Sequence, residues 1–314
     1  MPKIKTLFRY LRENPLGIIE DICHYGYFRW IPDKLYLKMM YLLETGKKLN
    51  LDNPRTYNEK LQWIKLYDRK PLYTKIVDKF EVRKYVADMI GEKYLIKLIG
   101  LYNSVDEIDW AALPNAFALK CTHGSGSNII CRDKSSHDIK TGKIQLRKWM
   151  KQNWFWVGRE WPYRNIMPRI ICEELLTNNY GEIPEDYKVL CFNGKAKMIQ
   201  VQSGRFVDLR IDFYDVQWNK TDISITFGKL HGSNSLVNTL QNSEIIFNKP
   251  QLLEEMLQLS EILSQNTYHT RVDWYIVENK LYFGEITFFQ GSGFLSFGKE
   301  KDEIMFGDWI NLRN

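Results

Sequence analysis

The side chains with the clearest chemical potential lie near the C-terminus of the chain; they are Arg271, Asp273, Glu285 and Thr287. We expect them on the two strands of a hairpin with a loop at 278–280, which places Asp273 opposite Glu285. Because side chains alternate along a strand, all four then share one face. Facing carboxylates repel, so the pair favours a Mg²⁺ ion between them and a phosphate beside Arg271. The alternative interpretation is a solvated face that carries an unrelated Asp and Glu.

A glycine- and serine-rich segment follows Lys120; its members are Gly124, Ser125, Gly126 and Ser127. The segment joins two apolar runs that we expect to be strands. Backbone N–H groups of such a loop can cradle phosphates, and the lysine adds a positive charge. The P-loop pattern GxxxxGK[ST] is absent, and an ordinary hairpin turn is the alternative interpretation.

Two further segments place charged residues on apolar strands. Glu173 and Glu174 end a run that continues through Leu175 and Leu176, and they resemble a hinge that pairs with adenine through backbone groups. A strand end that reaches solvent explains them equally well. Lys188 shares a strand face with apolar residues, and a lysine in such a place usually has a partner or a ligand.

The composition is ordinary for a globular protein of one large fold or two domains. The 314 residues include 44 Lys+Arg and 38 Asp+Glu, a net charge of +6, which is not the basic stripe of a nucleic-acid-binding protein. No apolar run approaches the ~20 residues that span a bilayer, and no signal peptide is visible, so we expect a cytoplasmic protein. Five cysteines without a CxxC pair indicate reduced thiols, and five histidines without HExxH give no support for zinc.

The predicted elements change character along the chain, from mainly helical to mainly strand. Predicted helices cover 34–45, the stretch after Thr56, 75–90, 141–154, 250–264 and 302–310. Predicted strands cover 116–122, 128–131, 169–174, 187–192, 195–201, 207–214, 270–277 and 281–287. Thr56 and Glu59 form a capping box, and Asn193-Gly194 favours a type I′ turn. We expect a long mobile loop at 221–247.

The order of these pieces resembles the ATP-grasp superfamily, and the whole chain resembles the TupA-like ATP-grasp family, named from teichuronopeptide biosynthesis. The resemblance rests on residues 53–86, 117–130 and 183–199 and spans roughly 50–295. It implies an α+β ATP-grasp fold, in which two α+β subdomains hold ATP between them after a mainly helical N-terminal region. The implied boundaries are 1–112 for the helical region, 113–182 for the subdomain with the Gly/Ser lid, and 183–314 for the subdomain with the Mg²⁺ and triphosphate site.

The resemblance also implies residue roles. The residues expected to bind ATP are Lys120, Gly124, Ser125, Gly126, Ser127, Glu173, Glu174, Leu175, Leu176, Lys188 and Arg271, and the catalytic pair among them is Lys188 and Arg271. Asp273, Glu285 and Thr287 would bind Mg²⁺, with Thr287 in the place where the superfamily usually has Asn. Asp78-Lys79 is similar to a pair that precedes the ATP domain in related ligases, although both residues also fit a solvated helix face.

The implied activity is that of an ATP- and Mg²⁺-dependent ligase, which activates a carboxylate as an acyl phosphate and joins it to an amine in cell-surface polysaccharide biosynthesis. The substrates would be small-molecule or glycan-linked carboxylates and amines, with no nucleic acid. A glycosyltransferase or sugar kinase that acts on a surface-glycan precursor is the alternative. Basic and aromatic residues in 1–12 fit an amphipathic packing helix, or a peripheral contact with a membrane or a lipid-linked glycan.

Overall fold

The computed structural model describes residues 23, 26–178, 180–204, 209–227, 242–243 and 245–312. The predicted N-terminal membrane contact at 1–12 and most of the predicted loop at 221–247 lie outside these residues. Its helices are α1 (Asp33–Thr45), α2 (Tyr57–Tyr67), α3 (Pro71–Val77), α4 (Glu81–Ile90), α5 (Ile139–Trp149), α6 (Phe155–Gly158), α7 (Leu253–Leu263) and α8 (Glu300–Trp309). Its strands are β1 (Leu98–Tyr102), β2 (Phe117–Cys121), β3 (Asn128–Cys131), β4 (Ile170–Glu174), β5 (Asp186–Phe192), β6 (Lys195–Ser203), β7 (Arg210–Asp215), β8 (Ile225–Thr226), β9 (His269–Val277), β10 (Lys280–Thr287) and β11 (Ser296–Phe297).

A four-stranded antiparallel sheet has the order β1-β4-β2-β3. Its core is formed by alternate residues of β2 and β4, such as Phe117, Leu119 and Cys172, against Leu146 of α5. The N-terminal region is mainly helical, as predicted, and β1 is a strand that the sequence did not predict; it pairs with β4 at the edge of this sheet. Every residue of β1 is half-buried, so neither face of the strand is clearly the buried one. Its sequence accordingly does not alternate between polar and apolar residues, the pattern that identifies a half-buried strand.

A five-stranded antiparallel sheet has the order β10-β9-β5-β6-β7. The predicted hairpin of β5 and β6 is confirmed, because Asn193 (φ +48°) and Gly194 (φ +76°) form the two-residue turn. Its central strands place Val189 and Val272 in the largest hydrophobic core, together with residues of α2, α4, α7 and α8. The third sheet is the short pair β8 and β11.

The helices before the sheets are positioned by their caps. The predicted capping box is confirmed: Glu59 N–H donates to Thr56 Oγ1 at 3.3 Å, and Thr56 N–H donates to Glu59 Oε2 at 3.1 Å. The single helix expected at 75–90 is instead two helices, α3 and α4, which break at Asp78. The carboxylate of Asp78 accepts from the N–H groups of Phe80 (2.7 Å) and Glu81 (3.1 Å), and so competes with the helical pattern.

All five cysteines are buried thiols. None of the helices in the described ranges is both long enough and apolar enough to cross a lipid bilayer.

Candidate active site

The hairpin of β9 and β10 brings the four predicted side chains together, although its turn differs from the expected one. The turn has two residues, Glu278 (φ +49°) and Asn279 (φ +57°), instead of a three-residue loop at 278–280. The register then shifts between Phe283 and Ile286, where a bulge adds one residue to β10. Beyond the bulge Thr287 lies opposite Arg271, as predicted.

Arg271 connects all the members of this group. Its Nε donates to Asp273 Oδ1 and its second guanidinium nitrogen to Asp273 Oδ2, both at 2.7 Å. The same nitrogen reaches Glu285 Oε1 at 3.1 Å and Thr287 Oγ1 at 3.2 Å. The two carboxylates therefore share a cation supplied by the protein itself, which offsets the repulsion that the sequence predicts between them.

Lys188 adds a second cation to the group from the neighbouring strand. It lies directly opposite Asp273 in the pairing of β5 with β9. Its Nζ lies 2.5 Å from carboxylate oxygens of both Asp186 and Asp273. Lys188, which the sequence predicts on an apolar strand face, thus has two buried carboxylates as its partners. Asp186 reaches Lys188 because the two residues stand two positions apart on the same strand.

The four-stranded sheet carries a similar group of charged side chains around Glu173. Lys120 Nζ donates to Glu173 Oε2 at 2.7 Å, and Arg83 of α4 donates to Glu173 Oε1 at 2.8 Å. Both oxygens of Glu173 are thereby engaged by cations. Glu174 is exposed, and its backbone N–H donates to Lys97 O at 3.0 Å. This backbone donor is therefore used in a hydrogen bond at the edge of the sheet.

Lys79 links the glycine- and serine-rich loop to the acidic hairpin. Its Nζ donates to Gly124 O at 2.5 Å and lies 3.7 Å from Glu285 Oε2. Only 11% of its side chain is exposed, so it does not lie on a solvated helix face. The helix break at Asp78 gives Lys79 this direction.

A cavity of about 270 Å³ lies between the two sheets, and most of the predicted residues line it. Those lining it are Lys120, Ser125, Gly126, Glu173, Glu174, Leu175, Leu176, Lys188, Asp273 and Glu285, together with Lys79 and Asp186. Gly124 borders it through its bond to Lys79, and Arg271 and Thr287 lie beyond Asp273 and Glu285. Ser127 faces elsewhere: it is buried and lines a separate small cavity with His123 and Trp149.

The cavity lining combines apolar and charged side chains. Its apolar lining comes from Ile96, Ile130, Ile171, Leu175, Leu176, Ile183 and Pro184. Its charged lining includes Lys79, Lys120, Lys188 and the carboxylates of both sheets. A ligand with both an apolar part and a highly charged part matches this composition.

A larger groove of about 690 Å³ lies at the turn between β5 and β6 and includes none of the predicted residues. Its two lysines are engaged by the protein: Lys195 pairs with Glu261 at 2.7 Å, and Lys70 donates to Asn266 O at 2.7 Å. The cavity between the sheets is therefore the better candidate site.

The model of the TupA-like ATP-grasp family matches residues 59–311 of the chain. The chain belongs to the TupA-like ATP-grasp family. The predicted family and the predicted ATP-grasp fold are thereby confirmed.

Several solved structures are similar to this ATP-grasp chain at low identity. D-alanine–D-alanine ligase from Helicobacter pylori has 12% identity and a TM-score of 0.41, over 82% of this chain and 69% of the ligase. The Bacillus anthracis enzyme complexed with ATP has 13% identity and a TM-score of 0.36, over 75% and 57%. L-amino acid ligase from Bacillus licheniformis has 9% identity and a TM-score of 0.40, over 75% and 49%. The chain thus spans about half to two thirds of these enzymes. No curated protein sequence matches it.

The carboxylates of this ATP-grasp chain fit the Mg²⁺ ion that the family implies. Among the described residues no three His, Cys, Asp or Glu side chains form a closed metal cage. Mg²⁺ is suited to such a site, because it uses one or two carboxylates and completes its shell with phosphate oxygens and water. Glu285, whose side chain is 34% exposed, and Asp273 offer hard oxygen donors, and the hydroxyl of Thr287 lies 3.5 Å from Glu285 Oε1.

Burial and charge act against each other in this ATP-grasp site. Burial raises the pKa of Asp273, and the adjacent cations Arg271 and Lys188 oppose that shift. Burial alone would lower the pKa of Arg271, but Asp273 and Glu285 raise it overall, so the guanidinium stays charged.

Some of the functional side chains escape sequence reasoning. Asp186 stands in the segment that predicts Lys188, and the spacing of two residues already places both on one strand face. Arg83 offers no comparable signal, because its approach to Glu173 depends on how α4 packs against the edge of the sheet.

Proposed function

We propose that the protein is an ATP- and Mg²⁺-dependent ligase that activates a carboxylate as an acyl phosphate and joins it to an amine. We further propose that it works in the cytoplasm on precursors of cell-surface polysaccharide. The observation that carries the proposal is the convergence of lysines and carboxylates from both sheets on one cavity. Lys120 and Glu173 line it from the four-stranded sheet, Lys188, Asp186, Asp273 and Glu285 line it from the five-stranded sheet, and Lys79 lies 3.7 Å from Glu285.

A metal–nucleotide complex carries charges that this lining complements. The lysines Lys79, Lys120 and Lys188 suit phosphate oxygens, and the carboxylates suit the metal. Asp273 and Glu285 would hold Mg²⁺, with Thr287 beside them. When bound, the ion would neutralise charge on the terminal phosphates of the nucleotide during phosphoryl transfer.

The protein's own ion pairs define what binding requires. Lys188 and Arg271 are held in place by carboxylates, so they would meet the phosphate oxygens with these ion pairs already formed. Lys79 would keep the Gly/Ser loop over the phosphates through its bond to Gly124 O. The apolar side chains of the lining, among them Leu175 and Leu176, would contact the adenine ring.

The proposed reaction proceeds in two balanced steps. In the first, a carboxylate oxygen of the substrate attacks the γ-phosphorus, the bond from that phosphorus to the bridging oxygen breaks, and ADP leaves. In the second, the amine nitrogen attacks the acyl carbon, phosphate leaves, and the nitrogen loses a proton. Arg271 and Lys188 would stabilise the transferring phosphoryl group, because this chemistry depends mainly on positioning and electrostatics.

The first experiment is calorimetric binding of the non-hydrolysable analogue AMPPNP, with and without Mg²⁺, compared with UDP-sugars. Glu285→Gln is the most informative variant, because Glu285 is partly exposed and its loss leaves Arg271 paired with Asp273. We expect it to weaken Mg²⁺-dependent binding by at least about tenfold, the loss of one charged contact. Glu254→Gln changes an exposed carboxylate of α7 that does not line the cavity; it is the matched control and should bind as the original does.

Binding that is independent of Mg²⁺, or an equal loss in both variants, would contradict the metal assignment. Binding of a UDP-sugar in place of AMPPNP would favour the glycosyltransferase alternative. Once binding is established, release of ADP together with a product whose mass equals both acceptors less one water identifies a ligase. A product heavier by one phosphate group identifies a kinase.

A further inference from the structure

The solvent face of α1 and the turn before it expose large apolar side chains. The opposite face of the helix, with Tyr36, Leu37, Met40 and Tyr41, packs into a hydrophobic core. The exposed set is Tyr27 (69%), Trp30 (76%), Leu35 (52%), Met39 (46%), Leu42 (49%) and Leu43 (61%). Its four helical members are spaced three and four residues apart and so form one stripe, which together with Tyr27 and Trp30 we name the α1 surface.

The exposed charges within residues 26–48, the segment that carries the α1 surface, have one sign. The exposed charged residues between 26 and 48 are Arg29, Lys34, Lys38, Lys47 and Lys48, and all are basic. The two acids of the segment are engaged or buried: Asp33 pairs with Arg69 at 2.9 Å, and Glu44 is buried. Lys47 also pairs with Glu300 at 3.2 Å, at the far end of the helix.

We propose that the α1 surface binds an anionic lipid bilayer, with α1 lying parallel to the membrane plane. Leucine, methionine and aromatic side chains would enter the boundary between headgroups and acyl chains, where Trp and Tyr are favoured. The basic side chains would contact anionic headgroups. The helix has 13 residues, about 20 Å, which is too short to cross a hydrocarbon core of about 30 Å, so it lies on the membrane.

The charges favour a membrane over a second copy of the chain. A two-fold interface through the α1 surface would bring the same patch of each copy together, and Lys34 and Lys38 would then face like charges. A bilayer with anionic lipids offers both the apolar depth and the opposite charge. The proposal does not depend on the proposed reaction, because none of its residues lines the cavity between the sheets.

The test is co-sedimentation of the full chain with vesicles of phosphatidylcholine alone and of phosphatidylcholine mixed with phosphatidylglycerol. We expect binding to the mixed vesicles only. Lys34→Gln combined with Lys38→Gln should weaken it about twentyfold, since each lysine contributes about fivefold near such a surface. Leu35→Gln combined with Leu42→Gln should weaken it more than about tenfold through lost apolar burial. Ile144→Gln combined with Met167→Gln changes two exposed apolar residues elsewhere and should leave it unchanged.

Absence of binding by the unmodified chain would overturn the proposal. If the lysine and leucine variants both bound the vesicles as tightly as the unmodified chain does, the proposal would also be overturned. The lipid contact would then lie elsewhere in the chain. Sedimentation velocity adds one more outcome: a dimer that Leu35→Gln and Leu42→Gln abolish would assign the α1 surface to a second copy of the protein. Thermal melting of each variant separates a loss of binding from a loss of folding.

Discussion

The two sheets use the same lysine–carboxylate pair in different surroundings. In the four-stranded sheet Lys120 and Glu173 lie at the cavity rim, with 18% and 7% of their side chains exposed. In the five-stranded sheet Lys188 and Asp273 are 5% and 3% exposed. The first pair gains another cation, Arg83, whereas the second gains further carboxylates together with Arg271.

This difference separates a site that can adapt from one that is fixed. Lys120 is the more exposed partner and can turn to solvent, and the buried Glu173 then keeps Arg83, so this pair contributes less to stability than a pair of two buried charges. A buried charge that loses its partner stays in a low-dielectric environment, which is strongly destabilising. We therefore infer that the five-stranded sheet holds its charges in place before ligand arrives, and that the four-stranded sheet can adjust to the nucleotide.

The largest expected effect tests this inference on stability. Lys188→Met should lower the free energy of unfolding by about 3 kcal/mol, because the buried Asp186 and Asp273 both lose a cation and only Arg271 and the more distant Lys79 remain beside the three carboxylates. Lys120→Met is the matched variant in the other sheet and should cost less than about 1 kcal/mol, since Glu173 keeps Arg83 at 2.8 Å. Urea unfolding measures both values.

Nucleotide affinity sharpens the same comparison. Each lysine would supply a charge-assisted hydrogen bond, so both variants should bind AMPPNP with Mg²⁺ at least about tenfold more weakly. Equal loss of stability in the two variants would contradict the distinction between a fixed and an adaptable wall. Unchanged affinity in either one would remove that lysine from the phosphate site.

The chemistry of the site was readable from the sequence, but its pairing was not. Alternation along β9 and β10 correctly placed Arg271, Asp273 and Thr287 on one face, since that depends only on neighbouring residues. That Lys188 lies opposite Asp273 depends on β5 pairing with β9, which are separated by about 80 residues of sequence. Local patterns carry no information about such long-range sheet order.

The two wrong predictions near the site have local physical causes. The apolar spacing of 75–90 continues through Asp78, so periodicity alone indicates one helix, whereas the Asp78 carboxylate caps α4 and ends α3. The turn of the β9–β10 hairpin closes on two non-glycine residues with positive φ, Glu278 and Asn279, which propensity does not favour for Glu. The bulge after Phe283 then restores the expected register at Thr287.

A pH titration distinguishes the charge cluster of the five-stranded sheet from the histidine at the sheet's other end. His269 is buried, with Nδ1–H donating to Cys191 O at 3.0 Å and Nε2 accepting from Tyr57 O–H at 2.9 Å. Burial lowers its pKa from 6.5 to about 3. At pH values between about 3 and 6.5, this histidine is protonated in the unfolded chain and neutral in the folded one. The contribution of neutral His269 to the free energy of unfolding is therefore complete above pH 6.5 and decreases as the pH falls.

His269→Gln should therefore flatten the acid limb of the stability curve by about 1.4 kcal/mol per pH unit, the contribution of one proton. Urea unfolding at several pH values from 6.5 downward measures the slope. An unchanged slope in His269→Gln would assign the acid sensitivity to other groups of the chain.

The smallest expected effect concerns Lys79, which joins the two walls through Gly124 O and Glu285. Lys79→Met removes one hydrogen bond from the Gly/Ser loop, worth about 1 kcal/mol, and should speed amide hydrogen exchange at 123–128 about fivefold in the ligand-free protein. Lys84→Met, which changes an exposed lysine of α4 paired with Asp88, is the control and should leave the loop unaffected. Mg²⁺ with AMPPNP should slow exchange at 123–128 in the unmodified chain and less so in Lys79→Met. If the exchange rate at 123–128 changed neither with nucleotide nor in Lys79→Met, the loop of the four-stranded sheet would be as rigid as the interior of the five-stranded sheet. That result would contradict the distinction between an adaptable and a fixed wall.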